Sequence, residues 1–267
     1  MKYAVVASVV IFLAVSCEKP VDRYSTIQGK RLHILERGEG EPSVIFITGQ
    51  NCPLEHFYTV QSQISKETKT SSYDRSGLGL SDIMDTVRTL DHAANELNTL
   101  LVHEKIKSPY ILVGHSLGGL IAREFYHQFP DKVAGFVFVD VANYEVLFDS
   151  LIQKGLISDD FFGPDSLATK GEWYEMSYTK ENVFWFKEPF ATQLPVHLLV
   201  ANGKGAGSAA FIDTKVNTFR MFNVGAPQMK TIYAEHSGHH IQRDQPELVI
   251  NSIKKMLEEV RGNTQGN

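Results

Sequence analysis

The sequence predicts an α/β protein with a mostly parallel, twisted sheet, helices on both faces and a helical lid insertion. Three observations predict it. Short runs of consecutive apolar residues alternate with segments of helical periodicity, the pattern of a parallel sheet covered on both sides. A Gly-x-Ser-x-Gly segment, Gly114-His115-Ser116-Leu117-Gly118, sits where one apolar run gives way to one helical segment. A long stretch without a clean strand, residues 143–195, collects both tryptophans, Trp173 and Trp185.

The chain has 267 residues and 43% apolar content, enough for a full hydrophobic core without disulfides or a structural metal. Its net charge is −5, so it lacks the basic footprint of a nucleic-acid binder. Lys2 precedes an apolar run from Tyr3 to Val15, then Ser16-Cys17-Glu18-Lys19-Pro20. The run is too short to span a bilayer comfortably and has the layout of a secretory signal over 1–16. A small residue just before a cysteine resembles the lipobox of bacterial lipoproteins. That resemblance implies lipidation of Cys17, membrane attachment through that lipid, and a periplasmic or outer-membrane location. The motif prefers leucine where this chain has Ala14. An ordinary cleaved signal or an uncleaved anchor is the alternative. Cys52 is then the one remaining cysteine, which removes any disulfide framework and reads as a loop or packing residue.

In chain order, residues 17–24 form a polar tether, and two hairpin-like segments follow, ending at Gly38–Pro42. Val44–Ile47 is a strand buried on both faces, and a further strand ends at Tyr73-Asp74. The Leu90–Val102 segment places Leu90, Ala94, Leu97 and Leu101 on one helical face. Tyr110–Val113 is a strand, Leu117–Phe129 a helix, and Gly135–Val139 and Val196–Val200 are strands. Pro246–Val260 is the closing helix. Residues 25–142 and 196–262 thus form the core. The insertion between them carries Phe148, Phe161, Phe162, Tyr174, Tyr178, Phe184, Phe186 and Phe190 besides the tryptophans. A connection of that length is seldom structureless, and an aromatic-rich one suits a lid over an apolar pocket.

The serine segment carries the chemistry. A strand that stops abruptly before a helix leaves the residue between them in strained geometry, with its hydroxyl above the sheet edge. Glycines at 114 and 118 avoid side-chain collisions across so tight a turn, and the helix N-terminus favours developing negative charge.

From these residues the chain resembles the α/β-hydrolase superfamily over residues 25–260. Tyr73-Asp74-Arg75-Ser76-Gly77-Leu78-Gly79-Leu80-Ser81 resembles the family's Asp-Arg-x-Gly-x-Gly-x-Ser loop, whose Asp and Arg tie neighbouring loops together. Ser237-Gly238-His239-His240, followed by Asp244-Gln245-Pro246-Glu247, resembles its late histidine loop. The resemblance implies Ser116 as nucleophile and His239 as general base, with His240 the competing base. The acid of most relatives follows the strand placed at Val196–Val200, where this chain has Ala201-Asn202-Gly203-Lys204-Gly205 and no carboxylate. Some dehalogenases carry the acid one strand earlier, a position that matches Asp140 here; Asp213 is the alternative. The oxyanion donors implied are the backbone N–H groups of Leu117 and Gln50, although the usual His-Gly before the latter is Thr48-Gly49. His236, His239 and His240 lack companion ligands for a metal, and no cofactor is expected. The implied activity is hydrolysis of a carboxylic ester, or a related acyl bond, of a moderately apolar small molecule. Amides, thioesters and C–C bonds are alternatives on the same fold, as is a non-catalytic ligand-binding role.

Overall fold

Alternating side chains divide each central strand between two cores. On β3 (Ser43–Ile47), Ile45 and Ile47 enter one core, Val44 and Phe46 the other. On β5 (Tyr110–His115), Leu112 faces the first while Ile111 and Val113 face the second. On β6 (Val133–Val139), Phe136 and Phe138 oppose Val137 and Val139 in the same way. A strand with apolar groups on both faces must be covered on both, which is why these segments read as unbroken apolar runs. The computed structural model describes residues 20–83, 89–141, 150–156, 190–203, 207–222, 226 and 228–265.

The remaining strands are β1 (Val21–Ile27), β2 (Lys30–Arg37), β4 (Thr70–Tyr73), β7 (Val196–Ala201) and β8 (Met229–Ala234). The eight strands run β1-β2-β4-β3-β5-β6-β7-β8. The first two pairings, β1 with β2 and β2 with β4, are antiparallel, and the five that follow are parallel. Helices α2 (Leu90–His103) and α3 (Leu117–Gln128) cover the first core. Helix α1 (Tyr58–Ile64) and the C-terminal helix, Pro246–Gln265, cover the second. Between β7 and that last helix lie α4 (Ala209–Phe222) and the short α5 (Ile241–Asp244); the C-terminal helix is therefore α6.

The expected strands and helices are present, with small extensions. The two hairpin-like segments are the paired strands of one hairpin, turning at Gln28-Gly29. β1 begins at Val21, inside the segment read as a tether, because Asp22 bonds the buried His33 and Tyr24 packs on its ring. The closing helix continues to Gln265. The signal segment, Cys17, and most of the insertion, including both tryptophans, lie outside the described residues. Phe190 is described, and it is a core residue rather than a pocket wall: it packs edge-on against Phe136 and Phe138. Among the described residues, no helix is long and apolar enough to cross a membrane.

Candidate active site

The parallel strands bring their C-terminal ends to one edge of the sheet, the usual location of sites in open α/β sheets. Four loops meet there, following β3, β5, β6 and β8.

Ser116 lies between the last residue of β5 and the first of α3. Its backbone has φ 51° and ψ −122°, a conformation that side chains rarely adopt. The turn holds because the Ser116 amide donates to the Val139 carbonyl and the Gly119 amide to the Ser116 carbonyl. A Cβ at Gly118 would lie 2.1 Å from the Ile47 carbonyl oxygen, and one at Gly114 2.7 Å from the Gly118 carbonyl oxygen. Only glycine fits at either position.

Asp140, directly after β6, is buried and also has a positive φ of 49°. Its Oδ1 accepts a 2.8 Å hydrogen bond from the Ala201 amide. Its Oδ2 accepts from His239 Nδ1 at 2.7 Å. With Nδ1–H so engaged, Nε2 of that imidazole is its basic nitrogen. Asp213, the alternative acid, is an exposed residue of α4. Lys215 of the same helix is buried, and its Nζ lies 3.3 Å from both Asp140 oxygens. A lysine in a helix reads as a solvated residue, so nothing in the sequence marked this contact.

His239 is half-exposed. Its loop is shaped by Asp244, whose Oδ2 accepts from Ser237 Oγ and the Gly238 amide. The loop is fastened to the serine turn through His115, whose Nε2 lies 2.9 Å from the His239 carbonyl oxygen. Burial, reinforced by the neighbouring His239 and His240, holds His115 well below the ordinary histidine range, so it donates as a neutral ring. Burial also lowers His240 and His56, and each feels repulsion from a neighbouring histidine. His240 stands at the N-cap position of α5, its ring centroid 5.2 Å from that of His115, 5.4 Å from that of His56 and 5.5 Å from that of His239, and it is His239 that bonds Asp140. His236 is exposed.

The loop after β3 is held by Arg75, one of the largest fully buried side chains. Its guanidinium donates to the Thr48 carbonyl and to the Gly49 carbonyl, each at 2.7 Å. In a planar trans peptide the N–H points opposite to the C=O. Arg75 therefore turns the Gln50 N–H away from itself. The Leu117 N–H stands at the first position of α3, where helical amides lack intrahelical partners. Gly49 packs so closely that a Cβ would lie 2.6 Å from His115 Nδ1 and 3.2 Å from Ser116 Cβ. Asp74, beside Arg75, accepts from the Leu54 and Leu80 amides and from His33 Nδ1. The Asp and Arg of this segment thus tie loops together, as the resemblance implied.

Cys52 is buried near His56 and His240, and these three offer ligand atoms within 4.8 Å of one another. From the sequence alone Cys52 reads as a loop or packing residue, and His240 groups with His236 and His239.

Comparisons with known proteins agree with this architecture. A family model described as the alpha/beta hydrolase fold matches residues 42–172. YbdG of Bacillus subtilis (strain 168) is 26% identical over 117 residues, 43% of this chain, and the match spans only 36% of YbdG. YqjL of the same organism is 24% identical over 230 residues, covering 86% of this chain and 89% of YqjL. Among solved structures, a serine hydrolase involved in carbazole degradation superposes with a TM-score of 0.70 at 19% identity, covering 90% of this chain and 99% of that one. Likeness at that identity speaks for the fold. With the family match over residues 42–172, the sheet order and the serine turn after its central strand, the chain has the α/β-hydrolase fold.

Proposed function

We propose that the protein is a serine hydrolase that cleaves a carboxylic ester through an acyl-enzyme on Ser116. The observation that carries this reading is the 2.7 Å contact of Asp140 with His239, at the sheet edge that also bears the strained Ser116. In this mechanism His239 Nε2 takes the proton of Ser116 as Oγ attacks the ester carbonyl carbon. The carbonyl π electrons move onto oxygen, and the oxyanion is held by the N–H groups of Leu117 and Gln50. The tetrahedral intermediate collapses, the ester C–O bond breaks, and the imidazolium returns its proton to the departing alkoxide. Water then attacks the acyl carbon by the same route, releasing the acid and restoring Ser116. Asp140 keeps the imidazole in the required tautomer and stabilises its charged form.

The aromatic-rich insertion of residues 143–195 supports a moderately apolar acyl or aromatic group in the substrate. The test uses p-nitrophenyl esters of graded chain length, with thioesters and amides in the same panel. Ester turnover is expected to fall by about three orders of magnitude or more in Ser116→Ala. Equal activity in the two proteins would overturn the reading.

We further propose that the chain is exported and held at a membrane by lipid on Cys17. The charge-then-apolar leader and the small residue before the cysteine support this. A palmitate label is expected to follow the wild type and vanish in Cys17→Ala. Label that persists in that variant contradicts the proposal.

A further inference from the structure

Cys52, His56 and His240 come from three separate parts of the active-site rim. Cys52 belongs to the loop after β3, whose carbonyls Arg75 holds, and its own carbonyl accepts from Thr48 Oγ1 at 2.6 Å. His56 lies in the 3-10 helix Leu54–Phe57. His240 immediately follows His239. The fold draws a thiol sulfur and one ring nitrogen from each imidazole to within 4.8 Å of one another.

Two further observations bear on this cluster. Among the described residues, Nδ1 of His56 and Nδ1 of His240 are both buried and have no hydrogen-bond partner. Leaving a buried polar atom unsatisfied costs about 1–3 kcal/mol, so two such atoms on the imidazoles of one cluster call for a partner that the described residues do not supply. In addition, an open cleft of about 430 Å³, lined by Pro53, Glu55, His56, Gly79, Leu80 and Arg243, leads from solvent to His56. A metal site needs such an entry path.

We propose that Cys52, His56 and His240 form a binding site for a zinc-class divalent cation. One thiolate and two imidazoles are the ligand set of a borderline-soft metal, and they do not suit magnesium or calcium. Tetrahedral bonds of the usual Zn–S and Zn–N lengths separate ligand atoms by about 3.5 Å, so the cluster needs only a small contraction to close on an ion. Three protein ligands leave the fourth position to water. As the metal–sulfur bond forms, the Cys52 thiol gives its proton to solvent. Occupancy would cross-link the loop after β3 to the loop that carries His239.

The site is tested with cobalt(II), a coloured substitute for zinc, on the full chain stripped of metal by a chelator. The expected result is binding of one equivalent, with a thiolate-to-cobalt charge-transfer band that zinc then abolishes by displacement. The band should survive in Cys17→Ser and disappear in Cys52→Ser. His56→Gln and His240→Gln should each weaken cobalt binding by about tenfold or more, with far-UV circular dichroism matching the wild type. Absence of the band from the wild type overturns the proposal, as does its persistence in Cys52→Ser. This readout is independent of hydrolysis, so it stands or falls apart from the role of Ser116.

Discussion

Asp140 and His239, 99 residues apart in sequence, meet through a 2.7 Å hydrogen bond from Nδ1 to Oδ2. The aspartate is buried and the histidine half-exposed, so the carboxylate end is fixed and the ring reaches outward from it. Asp140→Asn keeps the shape but offers the ring an amide, which favours the wrong tautomer. Turnover of the ester is expected to fall by about 10⁴ while the fold is retained. Asp213→Asn should leave turnover near wild type. The reverse pattern, with Asp213→Asn inactive and Asp140→Asn active, would move the acid to α4.

Lys215 sets a separate expectation. Its Nζ is 3.3 Å from both oxygens of Asp140, and both side chains are buried. Removing one member of a buried ion pair commonly costs about 3–5 kcal/mol, because the remaining charge is stranded. Lys215→Met is expected to lower stability in urea by that order. Its turnover should fall less than that of Asp140→Asn, since the contact with His239 is unaltered. A variant as stable as wild type would show that the pair contributes nothing to the fold.

Under the proposed mechanism Arg75 acts on the chemistry through the backbone. Its guanidinium fork holds two successive carbonyls, which turns away from Arg75 the Gln50 N–H that the proposed mechanism uses as an oxyanion donor. Arg75→Lys keeps the charge but cannot span both oxygens. Losing one oxyanion donor typically costs about 10²–10³ in kcat, and the variant should lose up to that much with little change in KM. Gly49→Ala should be comparably impaired, since its Cβ would crowd both His115 and Ser116. A rise in KM alone, in either variant, would contradict a role in orienting that donor.

His33 makes stability depend on pH. Burial opposes its charge, but hydrogen bonds to Asp74 and Asp22 outweigh that penalty and raise its pKa above the ordinary histidine range. A group raised on folding stabilises the native state fully below its unfolded value and loses that contribution as pH rises through the folded value. The urea midpoint of the wild type is therefore expected to decline above about pH 6.5 more steeply than that of His33→Gln. Parallel profiles for the two proteins would refute the contribution of this ring.

Much of the architecture was legible because central strands buried on both faces cannot avoid unbroken apolar runs, as in Val44–Ile47 and Phe136–Val139. The edge strand β8 lacked that signature: Lys230, Thr231 and Tyr233 alternate irregularly around a largely exposed ribbon. Helix α1 was obscured by Gln61, a buried polar residue that bonds the Leu35 carbonyl and Ser72. Ser116 was readable because a tight strand-to-helix turn demands local glycines. Lys215 and the Cys52–His56–His240 cluster were not, because each depends on which loops the sheet brings together, and no local spacing encodes that. Asp140 fell between these cases: its place after an apolar strand was visible, but its bond to His239 exists only in the fold.

The acyl-enzyme on Ser116 is tested most directly by finding where the acyl group goes. Enzyme mixed with a p-nitrophenyl ester, quenched in acid during the first turnovers and digested, can be mapped by mass spectrometry for a covalent acyl group. That mass is expected on the peptide containing Ser116, absent from Ser116→Ala, and longer-lived when water attack is slowed in His239→Gln after acylation with an activated ester. An acyl group on another residue, or turnover of the ester by Ser116→Ala at the wild-type rate, would contradict it.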